Sequence, residues 1–343
     1  MTQLINDFHH QHTAHCESGV MSTLLKHYGF NYSEPMLFGL SSALTFAYLP
    51  VIKISGMPLI AYRMPPKTII KNSCKKLNLS LKLQKFSSSE NGMKALDIAL
   101  TNNQLVGLQT SVFWLPYMPQ ALRFHFNAHN ILVYGKSEQN YLISDPVMES
   151  PVQCHETDLK KARFAKGALA SKGLMYTLEL ASHSNNIQLV PLIRQAILKN
   201  AKQMQAPLPF IGVKGIHLLA KRIHGLKNTS KSDQYKKLYL GHIVRMQEEI
   251  GTGGAGFRYM YASFLEEASQ HLPLTNKQAL LDSSNQMTEV GDNWRKFASR
   301  TVKLCRNLNS TGYDEVSQLL NNVAELEKAC WQNLVKSIKK ISY

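Results

Sequence analysis

A change in hydrophobic period about halfway along the chain constrains its fold more than any other feature. Up to about residue 185 the apolar residues come in short runs between turn residues, at 105–113, 131–135, 141–144 and 174–180. Short runs rich in β-branched and aromatic types read as strands. Two helices fit the same half. One runs from Cys16 to Tyr28, with Val20, Met21, Leu24, Leu25 and Tyr28 on one stripe and Gly29 as its stop; the other covers roughly 90–100. From Leu192 onward apolar residues recur every three or four positions, over 212–225, 233–250, 257–271, 276–287, 293–308 and 313–338. That spacing predicts helices almost throughout. The pattern breaks at 182–188, so the expected organisation is an α+β domain over 1–185 and an all-α domain over 190–343.

A length of 343 residues suits two domains of ordinary size. With 44% hydrophobic and 18% charged residues, the composition excludes a disordered chain. Lys and Arg exceed Asp and Glu by 16, and between Arg194 and Arg245 eleven Lys or Arg accompany a single acid, Asp233. Positive charge therefore concentrates in the second half and favours acidic partners. The five cysteines (16, 74, 154, 305 and 330) are odd in number, far apart and without a CxxC. They exclude a disulfide framework and a zinc ribbon, and they suit a reducing cytosol. The first residues carry neither the basic nor the apolar region of a signal peptide. Residues 37–52 are uncharged, but Pro50 interrupts them and Lys53 follows. Sixteen residues fall short of the ~20 a spanning helix needs. The run reads as buried core, and the expectation is a soluble cytoplasmic protein with no membrane span.

The N-terminus crowds His9, His10, Gln11, His12, Thr13, Ala14, His15 and Cys16 together. Three readings compete for it. A His-rich arm is one, and a metal site is another, although no second ligand pair at a regular spacing appears. The third is a nucleophile at a helix start. Thr13 would cap the helix and put Cys16 in its first turn, where free N–H groups and the helix dipole favour a thiolate. Such a nucleophile needs a base near it in space. His129 opens an apolar strand that ends at Gly135, and the next strand ends at Asp145-Pro146. If the two strands form a hairpin, His129 and Asp145 share one end of it, which suits a carboxylate orienting an imidazole. Taken singly, a strand-edge His and an Asp-Pro turn are ordinary features. Cys154-His155 is set aside, because adjacent residues do not generally meet in the required geometry. Cys74, Cys154, Cys305 and Cys330 are assigned to packing. The loop 251–256, Gly-Thr-Gly-Gly-Ala-Gly, lacks the Gly-Lys-Ser/Thr of a P-loop and follows no strand, so it reads as a tight link between helices.

A family resemblance joins these pieces. His15-Cys16 and its helix, the segment from Gly29 through Glu34-Pro35 to Phe38-Gly39-Leu40, Phe46-Ala47-Tyr48, the strand from Leu105, Leu115-Pro116-Tyr117, and the His129…Gly135…Asp145-Pro146 block resemble the BtrH-type acyltransferase family (butirosin biosynthesis protein H). The stretch from Gly251 through Phe257-Arg258, Tyr261 and Phe264-Leu265 to Glu267-Ala268 resembles the helical domain of unknown function that usually accompanies it. The resemblance implies a papain-like fold, an N-terminal helix carrying Cys packed on an antiparallel sheet. It implies an acyltransferase in natural-product biosynthesis that moves an acyl group from an acyl carrier protein to an amine. Cys16 would be the nucleophile, His129 the general base and Asp145 its orienter. Gln11, five residues upstream, would lend an oxyanion donor. The donor thioester would sit on phosphopantetheine, whose phosphate Arg258 would contact, and neither metal nor redox cofactor is implied. The basic helices would attract the acidic carrier, and their amphipathic faces offer surfaces for a homo-oligomer. The apolar 37–48 and aromatic 113–117 segments would line a dry acyl tunnel or serve as core. Two alternatives stay open: hydrolysis by the same triad, and a non-catalytic basic binding module. No nucleic-acid motif is present, so nucleic acid is not the expected partner.

Overall fold

The computed structural model describes residues 2–54, 56–179 and 187–340. In chain order its elements are β1 (Thr2–Leu4), α1 (Cys16–His27), α2 (Glu34–Leu40), β2 (Leu44–Ile54), β3 (Met57–Arg63), α3 (Thr68–Lys76), β4 (Ser80–Gln84) and α4 (Ser89–Thr101). There follow β5 (Val106–Thr110), β6 (His129–Ser137), β7 (Asn140–Ser144), β8 (Val152–His155), α5 (Glu156–Arg163) and β9 (Met175–Glu179). The remainder is helical: α6 (Leu189–Met204), α7 (Gly212–Leu226), α8 (Asp233–Glu248), α9 (Arg258–Ser269), α10 (Leu274–Arg306) and α11 (Ser310–Lys339). Of the expected boundary at 182–188, residues 182–186 lie outside the described residues, as does Leu180 at the end of the expected 174–180 strand.

By contacts the chain forms two compact units, Met1–Leu37 with Pro66–Ile187, and Phe38–Pro65 with Gln188–Tyr343. The first is α+β. Its sheet runs β4-β9-β5-β6-β7-β8, with β1 also pairing β6, and every pairing is antiparallel. α1 packs against β6. Every residue of α1 from Cys16 to Leu25 is buried, polar ones included, so this is a central helix rather than one with a single apolar stripe. Its end follows the expected chemistry. Gly29 takes φ +86°, and its N–H and that of Phe30 reach back to the carbonyls of Lys26 and Leu25.

The second unit holds the helices and one β-hairpin, β2–β3, which the linear sequence grouped with the first domain. Buried Phe46 and Tyr62 on this hairpin meet Trp294 of α10. Residues 37–48 are core, as their lack of charge suggested, but the rest of the run is not. Between the pairs Leu49↔Leu59 and Lys53↔Pro58, β2 carries extra residues that bulge outward, leaving Val51 88% and Ile52 47% exposed. The expected helices at 276–287 and 293–308 are one continuous α10. Buried Met287, Val290, Trp294 and Phe297 carry the helical rhythm across the supposed gap, and no proline interrupts it. Among the described residues, no helix is long and apolar enough to cross a membrane.

Candidate active site

Cys16 is the first residue of α1, but the cap is His15 rather than Thr13. His15 Nδ1 accepts the Ser18 N–H at 3.4 Å and lies 2.8 Å from the Ser18 hydroxyl. The Thr13 hydroxyl has no hydrogen-bond partner, while its N–H donates to the carbonyl of Pro146 at 2.7 Å and ties the approach to the helix to the turn after Asp145. Gly19 makes this contact possible, since a methyl there would collide with the Thr13 side chain and the Pro146 ring. The Glu34 carboxylate, 9% exposed, accepts the N–H groups of Ala14 (2.9 Å) and His15 (2.8 Å) and the Ser18 hydroxyl (3.0 Å). Burial pushes its pKa up, and these hydrogen bonds partly oppose the rise. The backbone leading into Cys16 is thus fixed from two sides.

β6 and β7 form the expected hairpin, although the strands run past Gly135, which sits at an irregularity, to a tight turn with Ser137 opposite Asn140. His129 opens β6 and Asp145 directly follows β7, so the two meet at one end, with His129 Nε2 2.7 Å from Asp145 Oδ2. Both are buried. Burial alone would lower the imidazole pKa. The charge and hydrogen bond of Asp145, helped by a hydrogen bond to Cys16, outweigh it and hold His129 up at about 10. Asp145 is itself held: Tyr117 donates to Oδ2 at 3.0 Å and the Val147 N–H to Oδ1 at 3.2 Å. The Asn130 amide donates to Cys16 Sγ at 3.9 Å, and the Tyr176 hydroxyl donates to Asn130 Oδ1 at 3.3 Å. A cysteine with an oriented, cationic imidazole beside it can act as a nucleophile on carbonyl carbon.

The structure therefore brings Cys16, His129 and Asp145 together. Gln11, five residues before Cys16, is half-buried. Asn130, Tyr176 and Glu34 were not picked out for roles from sequence, and Tyr117 only as part of the aromatic 113–117 segment. Asn130 follows His129 directly, and strand alternation argues against both side chains serving one site. His10 docks on the same end of the hairpin, with Nδ1 2.7 Å from Ser144 Oγ and Nε2 2.9 Å from the Met148 carbonyl. Among the described residues no cluster of three or more His, Cys, Asp or Glu is arranged to hold a metal.

Arg258 needs correction as a phosphate contact. It is fully buried in the second unit, with Nε 2.7 Å from Glu327 Oε1 and Nη1 2.7 Å from the Gly256 carbonyl. Trp294 and Trp331 donate to the same carboxylate, each at 2.9 Å. Nη2 has no partner, but the whole guanidinium is shut away from solvent, so a carrier's phosphate does not reach it. In the preceding loop the Ala255 N–H already faces the Glu248 carboxylate at 3.2 Å. The other cysteines behave as packing residues. Burial pushes Cys74, Cys154 and Cys330 up to about 12, and it also raises Cys305.

A buried cysteine opening a central helix on an antiparallel sheet, with a strand-borne histidine and a carboxylate behind it, is the arrangement of side chains used by papain-like cysteine enzymes. Residues 157–334 match the domain of unknown function DUF4872, and the chain belongs to that family; residues 15–146 match the family described as Butirosin biosynthesis protein H, N-terminal. Among solved structures, a chain from Bacillus anthracis described as a C39-like peptidase is similar at 12% identity and a TM-score of 0.37, over 53% of this chain and 100% of that one. No curated protein matches the sequence.

Proposed function

We propose that the protein is a cysteine acyltransferase that takes its acyl group from a carrier-protein thioester and delivers it to an amine. The observation that carries this reading is the contact of Cys16 with an imidazole that Asp145 holds in place and favours in its protonated form, in a chain whose residues 15–146 match a family described by a butirosin biosynthesis protein. The Cys16 thiolate attacks the thioester carbonyl, and the bond from that carbon to the pantetheine sulfur breaks. The departing thiolate takes the proton from His129. The amine then attacks the acyl-Cys16 carbonyl, His129 receives the amine proton, and the bond to Cys16 breaks, leaving an amide and the original ion pair. Neither step requires a metal or redox cofactor, and a reducing cytosol keeps Cys16 reactive.

The charge distribution supports an acidic donor protein. Lys199, Lys202, Lys221, Arg222, Lys231 and Lys237 on and between α6, α7 and α8 are exposed and pair with no carboxylate among the described residues. Such a surface raises the encounter rate with an acidic carrier. Intact-protein mass spectrometry tests the reading, with a panel of acyl-carrier thioesters and Cys16→Ala as control. A gain of one acyl group that is absent in the variant and discharged by an amine is the expected result. Discharge by water alone makes the protein a hydrolase, and no adduct from any donor refutes acyl transfer.

A further inference from the structure

We propose that the bulge of β2 is a membrane-surface contact, inserting shallowly among the headgroups of an anionic bilayer; the inference is independent of the reaction at Cys16. Pro50, Val51 and Ile52 lie between the paired residues Leu49 and Lys53, whose partners Leu59 and Pro58 are adjacent on β3. Three residues thus loop out without cross-strand partners, a feature that folds keep for a purpose. In a regular strand, neighbours point to opposite faces and one of them packs inward. Here Val51 and Ile52 are both exposed. A further apolar residue lies close by. β2 meets the turn between α6 and α7 at Tyr48, whose N–H donates to the Phe210 carbonyl at 3.0 Å. The same turn, closed by the Ile211 N–H on the Leu208 carbonyl at 3.3 Å, carries Leu208 exposed between two exposed prolines. Single exposed aliphatic residues are ordinary, whereas a group of them on one charged surface marks a contact.

Charge selects the occupant. The sequence has no Asp or Glu from 35 to 89 or from 180 to 232. The segments that build this surface, β2, β3, α6, α7 and the turn between them, therefore carry positive charges and no negative ones. Lys53 follows the bulge, Lys202 precedes the turn, and Lys214 donates to the Pro207 carbonyl at 3.1 Å; all three are exposed and pair with no carboxylate among the described residues. Aliphatic side chains flanked by lysines suit an interface in which acyl carbons lie beneath anionic headgroups. A second copy of the chain fits worse. It would set lysine against lysine across a two-fold axis, and three aliphatic side chains fall far short of the about 800 Å² that a stable interface buries on each partner. The insertion is shallow, because the unpaired backbone of the bulge must stay at headgroup level, where water reaches it.

Co-sedimentation of the full chain with vesicles tests the proposal, comparing phosphatidylcholine alone with phosphatidylcholine plus phosphatidylserine at low and high salt. The wild-type protein is expected to bind the phosphatidylserine vesicles and to be released by salt. Val51→Ser/Ile52→Ser is expected to weaken binding by about tenfold or more, and Lys53→Gln by about fivefold. Both variants change exposed side chains only, so their urea unfolding midpoints are expected to match the wild type. Val51→Trp adds a reporter at the bulge, and its emission is expected to shift to the blue on phosphatidylserine vesicles. Failure of the wild-type protein to bind these vesicles overturns the proposal, even where an acidic protein binds the same residues. Undiminished binding by Val51→Ser/Ile52→Ser overturns it as well, because charge alone then supplies the attraction. A concentration-dependent dimer that the double variant loses, measured by light scattering, assigns the bulge to a second copy and has the same consequence.

Discussion

Replacing Asp145 with Asn keeps the shape of the carboxylate and removes its charge, and the consequences can be worked out from His129. Asp145 and Cys16 together hold this buried imidazole at about 10, against an ordinary value of about 6.5. That difference corresponds to about 5 kcal/mol of preference for the protonated form in the folded state. A base with a raised folded pKa binds its proton more tightly when folded. Its contribution to stability is therefore complete below about pH 6.5 and drains away as pH rises toward 10, at about 1.4 kcal/mol per pH unit. Between about pH 7 and 9 the wild-type protein should lose about 2–3 kcal/mol through this group. In Asp145→Asn, burial has only Cys16 left to oppose it, so His129 should titrate far lower and the slope from this group should vanish. NMR titration of the His129 ring measures the first effect, and urea unfolding of both proteins across the same pH range measures the second. If His129 titrates at the same pH in both, or the two stability profiles stay parallel, the carboxylate is not what keeps the imidazole charged.

Other substitutions test the frame around the site. Arg258→Ala strands Glu327 in the core, so urea unfolding should show a loss of about 3–5 kcal/mol, while affinity for an acyl carrier protein stays unchanged. Gly19→Ala should cost about 1–3 kcal/mol through overpacking and should slow iodoacetamide alkylation of Cys16, because Thr13 and Pro146 can no longer close on α1. A chain ended at residue 187 would expose Phe46, Tyr48, Ile60 and Tyr62 of β2–β3, each worth about 1.5–3 kcal/mol when buried. It should bind a hydrophobic dye and lack a sharp unfolding transition, and a cooperative, dye-free fragment would contradict the division into units.

What was legible in the sequence was local, and what was not depended on distant partners. α1 with its Gly29 stop, the β6–β7 hairpin and the period of the later helices each draw their signal from neighbouring residues, and on that basis the chain could be read as bringing His129 and Asp145 to one hairpin end. The cap of α1 misled because the Thr13 N–H is held by the carbonyl of Pro146, more than a hundred residues away, in a run-in that leaves His15 at the capping position and the Thr13 hydroxyl without a partner. Arg258 misled because its fate depends on Glu327, a turn of α11 that no local pattern couples to a glycine loop. The same distinction explains why no linear boundary describes the two units. The family match at 157–334 begins within α5 and includes β9, which pairs with both β4 and β5 in the sheet of the first unit. The match at 15–146 includes β2–β3, which belongs with the helices. Each family segment thus lends a β element to the other's unit. Hydrophobic periodicity shows that a stretch is a strand, but which sheet it joins is decided by pairing partners that periodicity does not encode. It follows that the two segments need each other to fold, whichever of them carries the chemistry.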